Sequence, residues 1–268
     1  MGRDAVESSG GLPAVSTIDM GAPFRWLGGA WSDLWRAPGP CLAYGLILAL
    51  ISFALFYALV AADAAFWVLS LTVGFVFVAP MLAMGLYEAG RLIEHGEKPT
   101  LGGMLFVRSA LRQDIAYLGL ALVLIYLFWG RIAQIVYGLS TYQLHRTVAD
   151  FIEFAIGTPD GQNMLITGSI VGGVIAFFTY CMVVISAPML LDQRTGVFAA
   201  IATSVTAVVE NFWPMVLWAA IILILTLFAA ATGFIAFIVV FPWLGLASWR
   251  AYRELVPDPE GDGESAAS

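Results

Sequence analysis

The chain has 268 residues, 60% of them apolar and only 12% charged, with a formal net charge of −7. Soluble domains carry roughly 45–50% apolar and about 25% charged residues, and so little charge cannot supply the polar surface a core of this size needs. That excludes an ordinary water-soluble domain, and the absence of a basic stripe excludes a nucleic-acid binder.

Residues 1–22 are rich in Gly, Ser, Ala and Pro without periodicity and read as a disordered tail. The first 23 residues hold no 7–15-residue apolar stretch of the kind a cleavable signal has, so insertion is expected to be directed by the first span. Phe24, Leu27, Trp31, Leu34 and Trp35 recur at helical spacing among Arg25, Ser32, Asp33 and Arg36, which predicts a short interfacial helix ended by Pro38 and Pro40. A single all-α membrane domain then occupies 23–256, with six transmembrane helices at about 41–60, 64–87, 115–139, 164–191, 213–230 and 233–249. The last two divide one long apolar run at the small residues Ala229 to Gly233. Residues 257–268 form a free acidic tail.

Between the second and third spans, residues 88–114 are polar, and Pro99 with the N-cap candidate Thr100 opens a second amphipathic segment through Met104, Val107 and Leu111. Residues 145–156 form a candidate interfacial helix in the longest loop, 140–163. A third amphipathic stretch runs through Phe198, Ile201, Val205, Val208 and Phe212. Of the 12 basic residues, Arg3, Arg25, Arg36, Arg91, Lys98, Arg108, Arg112, Arg194, Arg250 and Arg253 fall on one side of this topology, and only Arg131 and Arg146 on the other. The positive-inside rule puts the first side, with both termini, in the cytoplasm.

Three stretches resemble one another: Val78-Ala79-Pro80-Met81-Leu82, Ile185-Ser186-Ala187-Pro188-Met189-Leu190 and Val240-Phe241-Pro242-Trp243-Leu244. Each lies in the second helix of a hairpin that follows an amphipathic segment, so the fold class is three helical hairpins, each led by an interfacial helix. Pro80, Pro188 and Pro242 each remove a backbone hydrogen bond and leave the carbonyls of Val76, Val184 and Ile238 to find other partners.

The spans contain no Asp, Glu or Lys at their middles, and His95 and His145 fall on opposite sides, which disfavours proton-coupled transport and haem ligation by this chain. No P-loop, GxSxG, HExxH or GxGxxG is present, so no catalytic residue, cofactor or metal ligand is expected. Cys41 and Cys181 lie in apolar runs as buried small hydrophobes. Arg131, in the third span after Trp129 and Gly130, either snorkels to the outer interface or contacts an anion or partner, with Gln134 at hand. Gly168, Gly172 and Ala176 follow small-xxx-small spacing, suited to close helix packing or to docking. The cluster His145, Arg146, Asp150, Glu153 and Asp160 reads as a solvated face.

The polar connection carries a resemblance to a known family. Pro80, Gly85, Leu86, Tyr87, Glu88 and Arg91, then Glu94, Gly96, Glu97, Pro99 and Thr100, with Arg108 and Asp114 beyond, form a span ending G-L-Y-E, an arginine, and a G-E-x-P-[ST] turn. This pattern resembles the bacterial integral membrane proteins catalogued as domain of unknown function 2189, over roughly Ala22 to Leu255. The resemblance implies a bacterial inner-membrane location and no established activity. The cytochrome c oxidase label on some members implies at most proximity to respiratory complexes. Glu88 and Arg91 are spaced to pair, and Gly96 permits a positive φ. The expected function is a non-catalytic scaffold or accessory subunit of a membrane complex. The alternative is a channel or transporter for a small neutral or apolar substrate around a pseudo-threefold centre. The expected partners are the lipid bilayer and a larger membrane complex; homo-oligomerisation is left open.

Overall fold

The structure, a computed structural model, describes residues 13–143, 145 and 147–257. The tail segments 1–12 and 258–268, and Arg146 of the charged loop cluster, lie outside the described residues. All regular structure among the described residues is helical.

The chain begins with α1 (Ala22–Arg36), which buries Trp26, Leu27, Ala30 and Leu34 and leaves Phe24, Trp31 and Trp35 exposed. Ala37 breaks the helix, and Pro38 restarts it as the first residue of α2 (Pro38–Ala61), where its missing N–H costs nothing. A tight turn through Asp63, at φ 51, leads to α3 (Ala65–Leu82) and, after a kink at Ala83, to α4 (Met84–Glu94). The polar connection holds α5 (Leu101–Leu105) and a 3-10 turn over Arg108–Leu111. Then come α6 (Gln113–Ser140), α7 (Val148–Gly157), α8 (Pro159–Val183), α9 (Ser186–Asp192), α10 (Val197–Glu210), α11 (Phe212–Ala231) and α12 (Phe237–Leu255). The α11–α12 turn falls at the expected small residues, with Gly233 and Phe234 at φ 64 and 68.

Both ends of the described chain lie at one end of the bundle. The Ser16 N–H donates to the Leu255 carbonyl, and Arg25 pairs with Glu254 at 2.8 Å. The turn ends of the hairpins meet at the other end, where Phe56 packs on Phe234 and Phe66 on Tyr137. Burial is uneven along this axis. In α2 all buried residues fall between Cys41 and Ala49, on the half nearer the termini, and the rest of the helix faces outward. By contrast α12 buries 12 of its 19 residues and packs against α1, α2, α4 and α11. It is the interior helix about which the termini end is built. Contact with α2 is close: a methyl added at Gly45 would collide with the Ile238 carbonyl, which Pro242 deprives of its helical donor.

Three expectations change. Five helical segments among the described residues are long and apolar enough to cross a membrane, namely Pro38–Ala61, Gly74–Glu94, Gln113–Ser140, Pro159–Asp192 and Phe212–Ala231. The expected sixth span, 233–249, starts later and runs into Arg250, Arg253 and Glu254, so α12 is half apolar rod and half polar-end core helix. Residues 13–21, expected in the free tail, are docked: the Ile18 N–H donates to Asn211 Oδ1, and Asn211 Nδ2 donates to the Ser16 carbonyl. The Arg25 guanidinium, helped by the Gly21 N–H, holds Asp19 below the usual carboxylate range, so this tether is intact at neutral pH and loosens as pH falls through that lowered value. Finally, the amphipathic segment after Thr100 is broken rather than continuous. Thr100 caps α5 as expected, accepting from the Gly103 N–H, but Gly102 and Gly103 weaken the helix, which ends at Leu105.

Candidate functional site in the helical bundle

Three regions gather the polar groups. The first is the termini end. Glu88 and Arg91 form the expected pair through two hydrogen bonds of 2.7 and 2.9 Å, and Gly96 turns the chain at φ 75. Pro99 is buried, and Glu97 is exposed. Around them lies a network whose partners are far apart in the sequence. Asp33 accepts from Arg250 and Arg36; Glu94 accepts from Arg253 and from the Trp249 indole; Asp192 accepts from Tyr252. Arg112 donates to the Leu190 and Gln193 carbonyls and closes the end of α9. One signal for Asp33 was present: it falls on the buried stripe of α1 with Trp26, Ala30 and Leu34, where an acid needs a partner. The partner, Arg250, is 217 residues away. A cleft of about 500 Å³ opens between α1, α4 and α12, bordered by Arg25, Arg36, Glu94, Arg250, Arg253 and Glu254.

The second region lies among the helices of the bundle. A half-open pocket of about 110 Å³ is bounded by α3 and α4, α8, α11 and α12. Its lining is apolar (Phe75, Pro80, Phe241 and Leu244 among others) apart from Tyr87, Thr179, Tyr180, Thr226 and Ser248. Thr179 and Ser248 donate back to their own helices, to Ile175 and Leu244, and Tyr180 donates to the Met215 carbonyl. Each of these hydroxyls retains acceptor capacity. Tyr87, almost wholly buried, makes no side-chain hydrogen bond within the described residues. Val76 and Val184, whose carbonyls Pro80 and Pro188 leave without helical donors, also line the pocket.

The break ahead of Pro188 is held open from outside. The Ser204 hydroxyl of α10 accepts from the Ile185 N–H at 3.1 Å and donates to the Cys181 carbonyl at 2.8 Å, so it stands between two groups that would otherwise pair along α8. Ser204→Ala should leave both groups buried without a partner and lower stability by ~1–3 kcal/mol, read as a drop in the thermal midpoint in detergent; an unchanged midpoint would show that the ladder closes by itself.

The third region is the turn end of α6. Arg131 is exposed and donates to Gln134 Oε1 at 3.1 Å. Gly172 seats the Trp129 ring of α6 and Gly74 of α3 seats Tyr126, while Gly168 has only Val136 at 4.0 Å. The small-residue stripe on α8 is thus occupied by α6 at its central position. Tyr137 bonds His145, whose ring stacks on Phe154. Among the described residues no group of acids, histidines and cysteines is placed to hold a metal ion, and the two cysteines are free thiols.

Neither the curated proteins nor the solved structures contain a match. The family resemblance read from the polar turn is found over a shorter stretch than Ala22 to Leu255, one that runs from α3 to the end of α9. Residues 68–192 match the family described as predicted integral membrane protein, DUF2189.

Proposed function

We propose that the chain is a non-catalytic, six-crossing membrane protein in which the second helices of three hairpins, together with α11, line a binding site for a small neutral molecule and allow its passage. The observation that carries this reading is the half-open pocket whose lining includes Tyr87, Thr179 and Ser248 together with Val76 and Val184, the residues four before Pro80 and Pro188. Its volume of about 110 Å³ is smaller than the roughly 150 Å³ that accommodates benzene, which favours solutes of a few heavy atoms. In this reading the turn at Gly233 and α12 as far as Trp249 make a short sixth crossing, and a hairpin-and-proline repeat would set the pocket near a pseudo-threefold axis. The excess of basic residues at the termini end supports a cytoplasmic orientation for that end, and the family resemblance supports a bacterial inner-membrane location. Proteoliposomes containing the full chain should pass urea or glycerol faster than empty liposomes by stopped-flow light scattering. Ala176→Phe, which fills the pocket, should return the rate to that of empty liposomes; equal rates for all three preparations would exclude passage.

The charged cleft at the termini end favours a second reading, a scaffold or accessory subunit that docks another membrane protein there. Purification in mild detergent would then recover a defined partner, lost on reversing the charge at Arg36. Isolation as a lone chain from native membranes would count against it.

A further inference from the structure

At the turn end an open cleft of about 440 Å³ lies between α3 and α6. Trp67, Leu71, Tyr126 and Phe128 give it an apolar wall, and Arg131 and Gln134 stand in its lining. The depth of Arg131 follows from its neighbours. The Trp67 ring lies 3.9 Å from the position of a Cβ at Gly130, so Arg131 is close to level with Trp67. Only four residues, about 6 Å of helical rise, separate Trp67 from Asp63 in the α2–α3 turn. Beyond Arg131, α6 runs a further nine residues to Ser140, about 14 Å. Arg131 therefore lies near the turn end of the first hairpin with a tryptophan beside it, the arrangement of an interfacial anchor.

The partner of this arginine is neutral. At the other end Arg25, Arg36, Arg91, Arg250 and Arg253 each hold a carboxylate, and Arg112 holds two backbone carbonyls. Arg131 forms no ion pair among the described residues and bonds a neutral amide instead. A cation at the edge of the hydrocarbon, next to a lipid-facing apolar cleft, calls for an anion that brings its own apolar chain. A soluble anion would satisfy the charge but leave the apolar wall unfilled.

We propose that this cleft binds one anionic phospholipid of the adjoining leaflet, its phosphate on the Arg131 guanidinium and the Gln134 amide, and an acyl chain along Leu71, Tyr126 and Phe128. The site is independent of the pocket among the helices and of any solute that passes there. Native mass spectrometry of the full chain tests it, with phosphatidylglycerol and phosphatidylcholine titrated separately. Wild type should retain one phosphatidylglycerol in preference to phosphatidylcholine. Arg131→Gln should reduce that retention by about fivefold without lowering the thermal midpoint, and Arg131→Lys should keep most of it. Equal retention of the two lipids by wild type, or unchanged retention by R131Q, would overturn the proposal. So would loss of phosphatidylglycerol on adding millimolar inorganic phosphate, which would make the site one for a soluble anion.

Discussion

Gly172→Leu should lower the stability of the bundle by ~3 kcal/mol, at the upper end of the cost of inserting methylenes into a packed interior. A Cβ at position 172 would stand 2.7 and 2.8 Å from two atoms of the Trp129 ring. That ring is buried, and its Nε1–H donates to the Ser70 carbonyl at 3.2 Å, so it cannot swing aside without losing its bond to α3. One substitution on α8 would therefore loosen both the α6–α8 and the α3–α6 contacts. Gly168→Leu is the control. Position 168 belongs to the same stripe but meets only Val136 at 4.0 Å, an ordinary contact, and the change should cost less than about 1 kcal/mol. Thermal unfolding of the three proteins in one detergent checks this. Equal midpoints for the two variants would mean that Trp129 is not wedged as described.

Asp33→Ala should cost ~2 kcal/mol. The Asp33 side chain is 7% exposed and accepts from both Arg250 and Arg36, so its loss leaves the Arg250 guanidinium, 39% exposed, beside α1 without its carboxylate. Breaking a fully buried pair by removing one partner costs ~3–5 kcal/mol, and the partial exposure of Arg250 reduces that. Arg36→Ala, which removes a side chain that is 63% exposed, should change stability by less than about 0.5 kcal/mol. Replacing Asp33 and Arg250 together should recover part of the loss, since no uncompensated charge then remains. A double-mutant cycle on chemical or thermal unfolding reads the coupling directly; additive losses would show that the two groups do not depend on one another.

These two expectations rest on different kinds of information. The Gly172 contact was partly legible: small-xxx-small spacing marks a face where another helix approaches closely. It does not say which helix approaches or which of the small residues receives a large ring. The Asp33 pair was hardly legible, since the spacing within α1 places an acid on the buried stripe but carries no trace of Arg250. The same division runs through the rest of the protein. Glu88 and Arg91, Thr100 and Gly96 were readable because their partners lie within a few residues, where helix and turn geometry alone decide the contact. Ser204 between Ile185 and Cys181, and Asn211 clasping the chain at Ser16, were not, because they join elements that only the completed bundle brings together.

By itself the sequence determined that this protein is helical and lives in lipid, where most of its apolar segments lie, and how several of the local turns between them are made. Those properties follow from composition, from helical periodicity and from the conformational limits of proline and glycine, all of which act over short distances. The tertiary structure alone decided that the last helix is an interior element and that residues 13–21 are docked. It also decided that the proline-bearing helices leave a pocket and that Arg131 bonds Gln134 rather than a carboxylate. Each of these depends on which surfaces meet, and in a lipid-soluble chain nearly every helix face is apolar enough to be either buried or exposed. Hydrophobic pattern, which separates inside from outside in water, loses that power here, and close packing with a few long-range polar contacts takes its place.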